Sequence, residues 1–174
     1  MQPIRSHILG LENWLWRLEA AAVVVLFPSV VAISFLQVLC RYVFNSPLPW
    51  TEELAVGLFI WVAFIGSTMA IAARGHFAIE FVKNRLPVAG RLVAEVVIWS
   101  LSVLFLLIVL IWGIFFVLGP VPSMTTLPVS MRWFYSAVPV GAILMLLHLS
   151  LRGAKDVLEY FIASEETKPP VTSS

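Results

Sequence analysis

Residues 20–40 read AAAVVVLFPSVVAISFLQVLC, an unbroken stretch without a charged side chain. The hydrocarbon core of a bilayer is roughly 30 Å thick and takes about 20 apolar residues in helix, so Ala20–Cys40 is long enough to cross it. Leu54–Ala73 is a second uncharged stretch of the same kind. No charge occurs between Glu95 and Arg132, a run too long for one ordinary span. Gly119-Pro120-Val121-Pro122 interrupts that run, because proline lacks the N–H that a continuing helix needs. The third span is therefore expected at about 92–118, with a loop through Ser130, and the fourth at Trp133–Leu151. Helix is the form these spans must take, since an open strand leaves backbone groups unpaired in lipid.

Composition agrees. The chain has 174 residues, 60% hydrophobic and 12% charged, with a mean hydropathy of +0.96. A soluble domain is nearer half apolar and a quarter charged. A net charge of +1 gives no electrostatic footprint for nucleic acid. Cys40, the single cysteine, excludes an internal disulfide, a CxxC pair and a four-sulfur metal site. The expectation is an all-α integral membrane protein with one four-helix domain over residues 1–163 and a disordered cytoplasmic tail over 164–174, where Pro169-Pro170 precedes Thr-Ser-Ser.

Basic residues orient the spans. Arg5 and Arg17 precede the first; Arg74, Lys83, Arg85 and Arg91 follow the second; Arg152, Lys155 and Lys168 follow the fourth. Only Arg41 and Arg132 fall on the other side. The positive-inside rule then places both termini in the cytoplasm, as an even number of spans also requires. The residues before span one include Glu12 and Glu19, and no small-x-small site follows the span, so it does not read as a signal peptide. Ile4, Ile8, Leu11, Leu15 and Leu18 recur at helical spacing ahead of it. That pattern predicts an amphipathic helix lying on the cytoplasmic leaflet, with Trp14 and Trp16 at headgroup depth. Phe77–Leu86, ended by Pro87, is a shorter candidate of the same type.

Little in the spans points to chemistry. An ionisable group inside a membrane costs about 2.5–3.5 kcal/mol on insertion scales, and its presence is a functional signal. No span carries Asp, Glu, Lys or Arg at its middle. Ser29, Ser34, Ser67, Thr68, Ser100 and Ser102 are expected to return their hydroxyls to their own helices. His7, His76 and His148 lie in the interfacial segment, a basic loop and a helix end, so they do not form a bis-histidine haem site. No Ser-His-Asp set or carboxylate pair suggests catalysis, and no cofactor or metal is expected.

Two constellations remain. The turn Arg41-Tyr42-Val43-Phe44-Asn45-Ser46-Pro47-Leu48-Pro49-Trp50-Thr51-Glu52-Glu53 has two readings. Arg41 complements the end of span one and Glu52 and Glu53 the start of span two, with Tyr42 and Trp50 in an aromatic belt; or the turn is a docking surface for another subunit. Span two also carries small residues at three- and four-residue steps, Ala63, Gly66, Ser67, Ala70 and Ala73, which let another helix approach closely. That approach is either within the four helices or between subunits. Trp61 lies inside the span, where its indole N–H needs a partner, and a protein-facing position is expected. The apolar bulk of span three is expected to meet lipid.

These residues, in this order, resemble a known family. Arg41-Tyr42-x-Phe44 is followed by Pro49-Trp50-Thr51-Glu52-Glu53, Gly66, Arg74-Gly75-His76 and Leu86-Pro87. Thr126-Leu127-Pro128, Tyr135 and Pro139-Val140-Gly141 come last. From about Leu18 to Arg152 the chain resembles the small integral membrane subunit (Q-type, DctQ-like) of tripartite ATP-independent periplasmic (TRAP) transporters. The resemblance implies a bacterial inner-membrane protein acting beside two partners. One is a periplasmic solute-binding protein that delivers an organic acid; the other is a large multi-span permease subunit that carries the substrate and sodium sites. The small subunit would brace the large one and help to dock the binding protein. On that reading the interface residues are Arg41, Tyr42, Trp50, Glu52, Glu53, Trp61, Gly66, Ser67 and Ala70. Two alternatives are a membrane anchor of a respiratory complex, which would show a haem Soret band, and a small homodimeric exporter, which would need an embedded carboxylate in span one.

Overall fold

In a computed structural model, residues 2–73, 88–121 and 123–166 are described. They form α1 (Gln2–Tyr42), α2 (Pro49–Ala72), α3 (Val88–Leu118), the single turn α4 (Arg132–Tyr135) and α5 (Ala137–Glu166). Four helical stretches are long and apolar enough to cross a membrane: Gly10–Tyr42, Pro49–Ala72, Val96–Leu118 and Arg132–Gly153. The Phe77–Leu86 helix, His76 and the tail beyond residue 166 lie outside the described residues.

α1 is one helix where the sequence pattern predicts two. No glycine or proline separates Leu18 from Ala20, and Ala20, Ala21 and Ala22 favour helix strongly, so nothing breaks the chain at the expected joint. The packed face also differs from the expected one. Leu15 and Glu19 are buried, while Leu11, Trp14 and Leu18 are exposed. At 1.5 Å per residue, Trp14 to Tyr42 covers about 42 Å, close to the ~40–45 Å of a bilayer with its headgroups.

The α1–α2 connection is made by backbone. Val43 N–H donates to Leu39 O at 2.8 Å and Ser46 N–H to Cys40 O at 3.0 Å, occupying carbonyls that the helix end leaves free. Asn45 adopts a positive φ of 49° to turn the chain, a conformation that Asn tolerates better than most residues. Pro49 opens α2, where a missing N–H costs nothing. Thr51 donates its hydroxyl to Leu48 O at 2.6 Å.

α2 and α5 form the centre of the bundle. α1 packs on α2, α3 packs on α5, and α1 meets α5 only lightly. Leu106, Met145 and Leu149 are buried together, with Phe64, Ile71, Val103 and Leu146 around them. Gly141 permits the close approach of α2 and α5, since a Cβ there would lie 2.8 Å from Phe64 Cδ1. α3 turns Leu101, Phe105, Ile108, Trp112 and Phe115 outward, as expected for a lipid-facing helix. The fourth span starts with a break at Ser136. Pro139 supplies no N–H to Tyr135 O, and its ring crowds that carbonyl, so α4 ends and α5 begins. Of the hydroxyls expected to fold back, Ser29 bonds Val25 O, Ser67 bonds Ala63 O, Thr68 bonds Ile65 O and Ser102 bonds Ile98 O.

Candidate functional site

The turn end of the bundle is organised by Glu53, on the first turns of α2. Glu53 Oε2 accepts from Thr126 Oγ1 at 2.6 Å and from Thr126 N–H at 3.3 Å; Oε1 accepts from Thr125 N–H at 3.1 Å and from the Thr125 hydroxyl. One carboxylate therefore takes four donors from the 119–131 connection. Charge-assisted bonds of this kind are stronger than neutral ones. Met124 N–H bonds Val129 O at 3.2 Å, and Ser123 and Ser130 bridge antiparallel. Arg132 closes the other side through Gly119 O at 3.3 Å. The connection is thus a folded cap on α2. Beneath it lies an apolar cleft of about 230 Å³ lined by Val56, Gly57, Ile60, Met124, Met131 and Phe134. The ring of Phe134 sits directly over Gly57, filling the space of a Cβ.

Thr51 is buried in the turn, and the other residues singled out there are more open. Arg41, Tyr42 and Glu52 are exposed and Trp50 is half-buried. Among the described residues, no ion pair joins Arg41 to Glu52 or Glu53. Trp61 does find a partner within the chain: its Nε1–H donates to Trp133 O at 3.1 Å.

The small-residue stripe of α2 opens away from the bundle. Ala63, Ser67 and Ala70 are exposed, Val56 and Phe59 extend the same face, and Gly66 is half-buried with open space where a Cβ would stand. Sequence spacing left intramolecular packing and a contact between subunits equally open. Among the described residues, no helix of this chain covers the stripe.

The other end holds groups that sequence reasoning missed. His148 Nε2 and Glu19 Oε1 lie 3.0 Å apart, with the side chains 1% and 5% exposed. The sequence places His148 simply at a helix end and Glu19 simply ahead of the first span. The missed signal is the spacing Leu15, Glu19, Ala22, Leu26, which continues the packed face of α1 backwards past Ala20. One turn beyond His148, Arg152 Nη1–H donates to Ile71 O at 2.7 Å. It places a cation at the C-terminus of α2, where the helix dipole favours one. His7 lies where side chains are not described.

Comparison with known proteins shows what kind of bundle this is. Residues 30–158 match the family model described as tripartite ATP-independent periplasmic transporters, DctQ component. The chain belongs to that family. It is 30% identical over 135 residues to the sialic acid TRAP transporter small permease protein SiaQ of Vibrio cholerae, covering 74% of this chain and 75% of that protein. It is 33% identical over 142 residues to the sialic acid TRAP transporter permease protein SiaT of Haemophilus influenzae, covering 81% of this chain but 22% of the longer protein. The C4-dicarboxylate TRAP transporter small permease protein DctQ of Vibrio cholerae is 24% identical over 83 residues, 48% of this chain and 36% of that one. The protein is therefore a DctQ-family transporter component of the bacterial inner membrane rather than an enzyme. The family match takes in the turn, the α2 stripe, the Thr125–Thr126 cap and His148. Glu19 precedes it.

Proposed function

We propose that this DctQ-family chain is the small scaffold subunit of a sodium-driven TRAP transporter for organic acids. It holds a large permease subunit along the open face of α2. Both termini lie in the cytoplasm, and the Arg41–Glu53 turn and the 119–131 cap stand in the periplasm, where they help to dock a solute-binding protein. The observation that carries this reading is the uncovered stripe of Ala63, Ser67 and Ala70 beside Gly66. In lipid, helices associate through close backbone approach rather than through apolar burial, so small residues facing outward fit a partner helix better than they fit acyl chains. The lack of Asp, Glu, Lys or Arg at mid-span suits a subunit that supports transport without providing the pathway. An organic acid as solute is supported by the relatives, two named for sialic acid and one for C4-dicarboxylates, all carboxylates.

Reconstitution tests the proposal. Proteoliposomes holding this chain alone should give no sodium-driven uptake of an organic acid. Adding the cognate large subunit and binding protein should produce uptake that the large subunit and binding protein do not give without this chain. Uptake by the lone chain would overturn the scaffold role.

A further inference from the structure

The Glu19–His148 pair belongs neither to the turn nor to the α2 stripe, and the scaffold role makes no use of it. It joins α1 to α5 where those helices otherwise touch only lightly. Both side chains are more than nine-tenths buried. Glu19 Oε2 and His148 Nδ1 have no hydrogen-bond partner among the described residues, so the 3.0 Å contact is the polar interaction that holds each of them in place. A carboxylate and an imidazole sharing one proton are together neutral, whichever of them carries it. A second proton leaves a buried positive charge, and loss of the shared proton leaves a buried negative one. Either state places an uncompensated charge at a site with little water, which is the arrangement that breaking a buried pair makes costly.

We propose that Glu19 and His148 form a one-proton clasp: the amino-terminal half of α1 is held on α5 while the pair carries one proton, and is released when the pair gains or loses one. Among the described residues, few charged or titratable groups stand near the pair. On α1, Glu12 is half-buried and engaged in an interaction of its own, and Arg17 is exposed. On α5, Arg152 donates to Ile71 O, at the end of α2, and is engaged in a further interaction of its own. α2 from Ile65 to Ala72 carries no titratable side chain, and neither do the described side chains of α3. The signature of the clasp lies in how the variants differ.

The test uses the full chain in lipid nanodiscs with Cys40→Ser, spin-labelled at Arg17→Cys and Ser150→Cys, two exposed positions flanking the pair. The distance between labels is read from acid to alkaline pH. The parent chain should show a narrow distance near neutrality that is lost at both extremes. Glu19→Gln leaves the histidine as the titrating member, so the narrow distance should persist in alkali and be lost only in acid. His148→Gln leaves the carboxylate, so the distance should persist in acid and be lost only in alkali. Glu19→Leu with His148→Leu removes both charges and should stay narrow throughout, which also shows that the bundle folds without the pair. A parent chain that stays narrow at every pH, or two glutamine variants that respond alike, would overturn the clasp.

Discussion

Thr126 Oγ1 donates to Glu53 Oε2 at 2.6 Å, tying the connection after α3 to the first turns of α2 across a separation of 73 residues. The acidic residue next to the turn therefore acts first within its own chain. It gathers Thr125 and Thr126 into a cap over α2, while Glu52, one position earlier, remains exposed.

Loss of that carboxylate should loosen the cap selectively. For Glu53→Ala, hydrogen–deuterium exchange in detergent should rise for the amides of Thr125 and Thr126, which donate to the missing oxygens, while Met145 to Leu149 stay protected. Glu52→Ala should change neither. Equal protection of Thr125 in Glu53→Ala and the parent chain would show that the carboxylate does not organise the cap.

Gly57→Ala should destabilise the turn end, because the new Cβ falls where the Phe134 ring lies. Overpacking of this kind costs about 1–3 kcal/mol, measurable as a lowered thermal midpoint in detergent. Phe134→Ala should weaken the parent chain by loss of packing, yet make Gly57→Ala nearly harmless when the two are combined. Additive losses in the double variant would contradict the contact.

Topology is checked by thiol labelling in a Cys40→Ser background. Cysteine at Ser46 and at Ser123, both exposed on the turn end, should react with a membrane-impermeant reagent applied from the periplasm. Cysteine at Ser164 should react only after the membrane is opened. The reverse pattern would invert the orientation taken from the basic residues.

The four crossings were legible because each is an uncharged run of membrane length. The break before α5 lies hidden within the fourth run, because the effect of Pro139 falls four residues earlier, on Tyr135. The continuous α1 was hidden by two overlapping periodicities. Leu11, Leu15 and Leu18 suggest a lipid-facing stripe, whereas Leu15 and Glu19 form the packed one, and only contact with the neighbouring helices decides between them. Trp61 was predicted to need a partner and has one in Trp133 O. Thr126 stands out in sequence only within the Thr126-Leu127-Pro128 motif and Thr125 not at all, so their bonds to Glu53 became visible only when it was placed beside them. The direction of the α2 stripe likewise depends on which helices surround α2, and spacing alone does not fix that.

The central claim, that the open face of α2 is where a large permease subunit is held, is tested most directly by site-specific photo-crosslinking in membranes that contain both subunits. A photoreactive residue at Ser67 or Ala70 should capture the large subunit, whereas the same residue at Phe105, on the outward face of α3, should capture none. Capture from Phe105 with silence at both Ser67 and Ala70, at normal expression of both subunits, would contradict the account.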